Sequence, residues 1–488
     1  MIDGGLRRES VEATGAIVLW RGVNWVLPLI LLCWFLAGCA RPTEEAASAS
    51  VEWTLPSNAE IEALLARRME NNGVGVVVGV IDRTGQRVAS YGRSGAENQR
   101  PLDGDTVFQL GSVTKGFTSL LLADMVARGE VGLHDPASKY LPPDVILNVN
   151  AREFTLYDLA THRSGLPSMP TNLDLNGKPN PIEAYSEGDL YDFLRTYEPE
   201  NAPGEVYTYS NLGVSLLGRL LADRARTTYE EFVTERVLEP LGMSDTSITL
   251  RDDQLARLAP GHSPYMKPID TWEMATLQAS GSLRSTANDM LKLIAACLEP
   301  DSTPLAAAVG VQLLEGEPQA GQQAPLIWGR LDDGTYRHSG GKAGYRSGVA
   351  FNPQTGIGAV VLANSRTDDL PINLAVHLVN GEPMPPTPAP RPYKPVVALS
   401  ALALDKFVGA YRFQNDFEME VVRNGPNLLV RYPDTILEFE AFRDREFFYN
   451  AGNDDITFEL DAEGDVAAMI LYSEGRGVSE PRRAERIN

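Results

Sequence analysis

The sequence predicts an α+β protein: an antiparallel sheet flanked by helices together with an all-α lobe, followed by a small antiparallel β domain. Three observations predict it. Strand-like runs stand at both ends of the segment from Leu55 to Asn380 and enclose a mostly helical stretch between Gly116 and Met243. A proline-rich run, "GEPMPPTPAPRPYKP" from Gly381 to Pro395, closes that segment and reads as a stiff linker within residues 381–400. Over residues 401–488, runs such as "FEMEVVRNGPNLLVRY", "LEFEAF", "ITFEL" and "VAAMILYS" alternate like strands. At 488 residues the chain is long enough for two folded units and a leader.

The leader comes first. "VNWVLPLILLCWFLAGCA", Val23 to Ala40, is an apolar run preceded by Arg7, Arg8 and Arg21 and ended by small residues. This is the pattern of a signal peptide, and the run is short for a bilayer-spanning helix, which needs roughly 20 apolar residues. Leu36-Ala37-Gly38-Cys39 resembles a bacterial lipobox. That predicts a signal peptide over residues 1–38, cleavage before Cys39, and a lipid on the Cys39 thiol as the link to a membrane. Residues 39–54 then form a polar, small-residue tether. The alternative is an uncleaved anchor helix, since Asp3, Glu9 and Glu12 are unusual in a leader. Under either reading the folded part lies outside the cytoplasm, in a bacterial envelope facing the periplasm, with the outer membrane as the expected site. Cys297 is then the one cysteine left in the folded part besides the acylated one, a small buried hydrophobe.

The folded elements follow in order. Ser57 and Glu60 form a capping box ahead of Ile61, Leu64, Leu65 and Met69 at helical spacing, with Gly73 as the stop. "GVGVVVGVID" and "RTGQRVASYG" read as a hairpin. Thr228 with Glu231 caps a helix through "TYEEFVTERVLEPLGM", and Ser285 opens another through Cys297. "IWGRL", "TYRHSG", "SGVAFNP" and "IGAVVLANS" read as strands, and "LPINLAVHLV" as a closing helix. Asn424-Gly425 marks a hairpin turn in the last domain.

Charge narrows the function. A formal net charge of -22 repels phosphate backbones, so nucleic acid is excluded as a partner. The five histidines are scattered without H-E-x-x-H, and no G-x-S-x-G occurs, which argues against zincin and α/β-hydrolase chemistry. What remains is "GSVTKGFTSLL", where Ser112 precedes Lys115 by three positions at the head of an apolar helix. Residues so spaced share a helix face. A helix N-terminus favours negative charge and burial disfavours a charged lysine, so both effects lower the cost of a nucleophilic Ser112 beside a neutral Lys115. A second S-x-x-K, Ser339 and Lys342, lies in a strand, where positions three apart face opposite sides. Two further motifs complete the set. Tyr209-Ser210-Asn211 stands at a helix start, offering a phenol as general base and a carboxamide for substrate, and His338-Ser339-Gly340 ends a strand. His162 in "THRSGLP" reads as a loop-structuring residue.

S-x-x-K, Y-x-N and H-S-G in that order resemble the penicillin-recognising serine hydrolases. The chain is similar to the class C β-lactamase branch with its D-alanyl-D-alanine carboxypeptidase and esterase relatives. The likeness runs from about Leu55 to Val379 and includes "LATHRSGLP", "PGEVYTYSN", "LRSTANDMLK" and "GYRSGVAFNP". It implies a Ser112 acyl-enzyme with Lys115 and Tyr209 handling protons, Asn211 positioning substrate, and the N–H groups of Ser112 and Gly341 as an oxyanion hole. His338, Ser339, Gly340 and Arg346 would line the substrate side. No cofactor or metal is implied. The substrate would be a small molecule or peptide: a D-alanyl peptide or β-lactam, with a carboxylesterase and a non-turnover penicillin sensor as alternatives. One departure stands out: His338 occupies the place of the β-lactamase lysine, replacing a permanent cation with a group only partly charged near neutral pH. Arg346 is the candidate to supply the missing charge. The last domain resembles a lipocalin-like, barrel-like appendage.

Overall fold

The computed structural model describes residues 53–487, apart from 71–72, 148–151, 176–179, 271–272, 314–324, 343, 366–369, 388, 390–393, 415–416, 433–435, 450–451, 453 and 474–479. The expected signal peptide, Cys39 and most of the tether lie outside the described residues.

The sheet is six-stranded in the order β2-β1-β8-β7-β6-β5, every neighbour antiparallel. Its strands are β1 (Gly75–Asp82), β2 (Gly85–Gly92), β5 (Gly329–Arg330), β6 (Tyr336–Lys342), β7 (Tyr345–Asn352) and β8 (Ile357–Ala363), while β3 (Phe108–Gln109) pairs separately with β4 (Arg284–Ser285). The pleat explains why β1 reads as an unbroken apolar run. Val76, Val78 and Val80 point into one core with Ile61 and Leu65 of α1 (Asn58–Met69), and Val77 points into the other. The Ser57–Glu60 box caps α1, which ends at Met69, ahead of Gly73. A closing helix, Leu370–Asn380, covers the same face as α1.

The helical lobe and the sheet's second face share the larger core. At its centre lies α2 (Thr114–Ala127), buried from Thr114 to Met125, as expected of a helix with apolar or small residues on every side. Around it run α3 (Leu156–Ala160), α4 (Glu187–Thr196), α5 (Asn211–Ala225) and α6 (Tyr229–Val233), the last capped by the Thr228–Glu231 box. The helix expected from Ser285 begins at Ala287 with Thr286 as its cap, because Ser285 is held in β4 opposite Phe108. Cys297 on that helix is buried and unpaired. The expected strand "IWGRL" shortens to Gly329–Arg330, because Ile327 turns to a φ of 67° and its N–H donates to the Ala160 carbonyl of the lobe.

The last eight strands close a barrel: β9 (Gly409–Phe413), β10 (Glu418–Asn424), β11 (Asn427–Arg431), β12 (Ile436–Arg443), β13 (Glu446–Tyr449), β14 (Asp455–Leu460), β15 (Val466–Tyr472) and β16 (Arg482–Ile487). Gly425, at a φ of 57°, makes the tight turn between β10 and β11. Inward residues, among them Phe407, Tyr411, Phe439, Phe447 and Phe458, form the barrel's own core. Outward residues of three neighbouring strands, Val422, Leu429 and Ile436, instead join the larger core of the sheet and helical lobe, and Arg431 donates to the Leu173 carbonyl.

Candidate active site

Ser112 sits in a 3-10 turn, Gly111–Val113, that leads from β3 into α2. Gly111 takes a φ of 53°, a conformation a side chain resists, and this bend turns the half-buried Ser112 out of the core. Three positions on, Lys115 is fully buried, and its Nζ lies 3.0 Å from Ser112 Oγ. The same Nζ donates to Asn211 Oδ1 at 2.8 Å and to the Ser280 carbonyl at 2.7 Å. None of these partners is a carboxylate. With no counter-ion among the described residues it bonds to, burial pushes the lysine well below its ordinary pKa of 10.5.

The second wall comes from α5. Ser210 caps that helix, its Oγ accepting from the Gly213 N–H at 2.8 Å and donating to the Pro167 carbonyl at 2.6 Å. The cap fixes the residues on either side. Tyr209, just before it, donates its phenol to Ser112 Oγ at 2.7 Å. Burial raises the phenol's pKa above its usual 10, so it is a neutral donor. Asn211, the first helical residue, sits between Lys115 and the Ser168 hydroxyl, 3.2 Å from its Nδ2. Its carboxamide thereby orients the lysine amine.

The third wall is β6, which lies against the serine turn through glycines. A methyl on Gly340 would fall 2.0 Å from the Leu110 carbonyl oxygen, and one on Gly111 would fall 2.8 Å from the Gly341 nitrogen. Ser347 of β7 fastens the turn by donating to the Leu110 carbonyl at 2.6 Å. The backbone of Gly341 is therefore brought up against the serine turn, where a pair of N–H donors can meet a developing oxyanion. Ser339 is exposed, and Lys342 lies on the other face of the strand.

His338, on β6, has its Nδ1 2.7 Å from the Ser339 carbonyl oxygen, which can only accept. The proton is on Nδ1 and the lone pair on Nε2. Burial, followed by the field of Lys115, pushes the imidazole down to about 4, so the ring is neutral at pH 7, further from cationic than its residue type alone suggests. Arg346 pairs with Gly341 across β6 and β7, and its Nη1 would be 2.3 Å from a methyl on that glycine. Its guanidinium lies over the exposed face of Gly341. Of the residues singled out in the sequence, Ser112, Lys115, Tyr209 and Asn211 meet directly, and His338, Gly340, Gly341 and Arg346 line the adjoining strand pair. Ser168 and Ser280 carry no sequence signal of their own. Among the described residues, no group of His, Cys, Asp and Glu is placed to hold a metal ion.

A serine hydroxyl shared by a lysine amine and a tyrosine phenol, on this sheet and lobe, defines the penicillin-recognising serine class. Residues 61–379 match the family model described as Beta-lactamase, and the chain belongs to that family, within the serine β-lactamase superfamily. A β-lactamase of Yersinia enterocolitica is 28% identical over 237 residues, covering 48% of this chain and 58% of that protein. The D-alanyl-D-alanine-carboxypeptidase/endopeptidase AmpH of Escherichia coli strain K12 is 31% identical over 236 residues, covering 47% of this chain and 59% of that one. The chain thus spans less than two thirds of either relative. The crystal structure of a class C β-lactamase from Rhodobacter sphaeroides superposes with a TM-score of 0.56 at 26% identity, covering 63% of this chain and 94% of that structure. The expected class C-like fold with a C-terminal barrel is borne out.

Proposed function

We propose that this chain hydrolyses an amide, a D-alanyl peptide or a β-lactam, through an acyl-enzyme on Ser112. The observation that carries the reading is the hydrogen-bond inventory of Lys115. A neutral amine has two hydrogens and one lone pair, and the two hydrogens go to Asn211 Oδ1 and the Ser280 carbonyl. The lone pair is then left for Ser112 Oγ, 3.0 Å away. As Oγ bonds to the substrate carbonyl carbon, Lys115 takes the hydroxyl proton, and the Ser112 and Gly341 N–H groups hold the oxyanion. Collapse breaks the bond to the leaving amine, which takes its proton from the Tyr209 phenol; proton transfer from Lys115 to Tyr209 restores both. A water then attacks the acyl carbon by the same route and releases the acid.

The alternative is a carboxylesterase, favoured by the neutral state of His338, since an ester without a carboxylate needs no cation at that strand. Arg346 favours the peptide reading, as its guanidinium over Gly341 suits a terminal carboxylate. The exported, lipid-anchored location through Cys39 belongs to the same proposal and is supported by the leader's apolar run and lipobox-like end. Three substrates given to the purified mature protein separate the readings: a chromogenic cephalosporin, a D-alanyl-D-alanine peptide and a p-nitrophenyl ester. Release of D-alanine or an opened cephalosporin, lost in Ser112→Ala, supports the proposal. Turnover of the ester alone establishes the esterase. A stoichiometric penicilloyl adduct that never turns over points to a sensor.

A further inference from the structure

We propose that His162 is a positioning residue for Tyr209, holding the phenol on Ser112 by clamping the backbone on both sides of it. The inference rests on the serine-hydrolase reading above. Tyr209 lies in a stretch without regular structure between a turn and α5, so its aim depends on what holds the neighbouring peptide units. One residue holds both. The Thr208 N–H donates to the His162 carbonyl at 2.8 Å, and the Ser210 N–H donates to His162 Nδ1 at 3.1 Å. Between these two bonds the imidazole lies against the Tyr209 ring, centroids 4.5 Å apart, and meets Tyr207 edge-on at 5.6 Å.

The residue type fits this task. His162 has a φ of 59°, in the left-handed region that non-glycine residues adopt infrequently and that histidine, asparagine and aspartate enter more readily than the rest. It is buried, and its Nε2 has no hydrogen-bond partner among the described residues. With Nε2 unpaired, the ring's one hydrogen bond among the described residues is the one Nδ1 accepts from the Ser210 N–H. Because Nδ1 accepts from a backbone N–H, the ring must be neutral with its proton on Nε2. Burial, helped by Lys115, holds it so down to about pH 3. The clamp therefore keeps its form throughout the pH range in which a lysine base operates.

The test is a double-mutant cycle on p-nitrophenyl acetate, with His162→Ala, Tyr209→Phe and the pair, Ser112→Ala as a control, and His162→Asn as the conservative variant. If His162 acts through Tyr209, His162→Ala lowers kcat roughly 10- to 100-fold with KM within about 2-fold, and changes kcat less than about 2-fold when Tyr209 is already Phe. His162→Asn, which tolerates the same φ and offers an oxygen to the Ser210 N–H, restores part of the loss. Amide exchange over residues 207–212 rises in His162→Ala while α2 stays protected, separating a loosened clamp from unfolding. Equal losses in both Tyr209 backgrounds, or an unchanged kcat, overturn the proposal. Full turnover in Ser112→Ala overturns the parent reading and this one with it, a result distinguishable from either.

Discussion

The neutral state that the proposed mechanism asks of Lys115 follows from what surrounds it and what does not: two neutral acceptors, one hydroxyl, and no carboxylate among its partners. The sign of the pH effect follows. The amine acts as a base only when neutral, so kcat/KM on an uncharged ester rises with pH as Lys115 loses its proton. Burial lowers that pKa, so the rise lies on the acid side of 10.5. His338, held down to about 4, contributes no step near the ordinary histidine value. A pH series should therefore show the lysine limb retained in His338→Asn, whereas its disappearance there would assign the limb to the histidine. At this scale the sequence was informative where a residue type at fixed spacing carries the chemistry, as in Ser112-x-x-Lys115 and Tyr209-x-Asn211. It was silent on Ser280, whose contribution is a backbone carbonyl that any residue possesses, and on Ser168, one serine among many.

The site's elements meet because side chains are missing where β6 crosses the serine turn. Gly111 and Gly340 let two backbones approach to a distance no β-carbon permits. Gly111→Ala meets both penalties, a positive φ and a methyl against the Gly341 backbone, and pushes apart the Ser112 and Gly341 N–H groups proposed to hold the oxyanion. The expected result is a fall in kcat of about 100- to 1,000-fold with the far-UV dichroism unchanged, the size expected for losing one oxyanion donor. Steady-state kinetics on the ester checks it. Helix starts were legible through Ser57–Glu60 and Thr228–Glu231, and the same reciprocal code opens α3 at Thr155–Asp158 and α4 at Ser186–Asp189. The boundaries that slipped, at Ser285 and before Gly329, are places where long-range pairing overrides a local pattern.

In the whole molecule the barrel has a packed interior and a sticky flank. Phe407 stacks on Phe458 at 4.5 Å inside it, and eight strands leave an interior that such side chains can fill. Packing onto the hydrolase-like body is thus the role its geometry supports. Period-two alternation announced the strands in the sequence, but it could not announce which outward residues would be covered, because Val422, Leu429 and Ile436 are apolar on a face that usually meets solvent. Leu429→Ala empties a fully buried position between the two bodies and should cost about 2–5 kcal/mol in chemical denaturation. A loss under about 0.5 kcal/mol would show that the flank is not packed as described.

The most direct test of the central claim is a mass map of the protein after brief reaction with a labelled penicillin or an activated ester. The account predicts one added acyl group, carried by the peptide that contains Gly111 to Lys115 and absent from Ser112→Ala. An adduct on another residue, or one that survives the loss of Ser112, would contradict it.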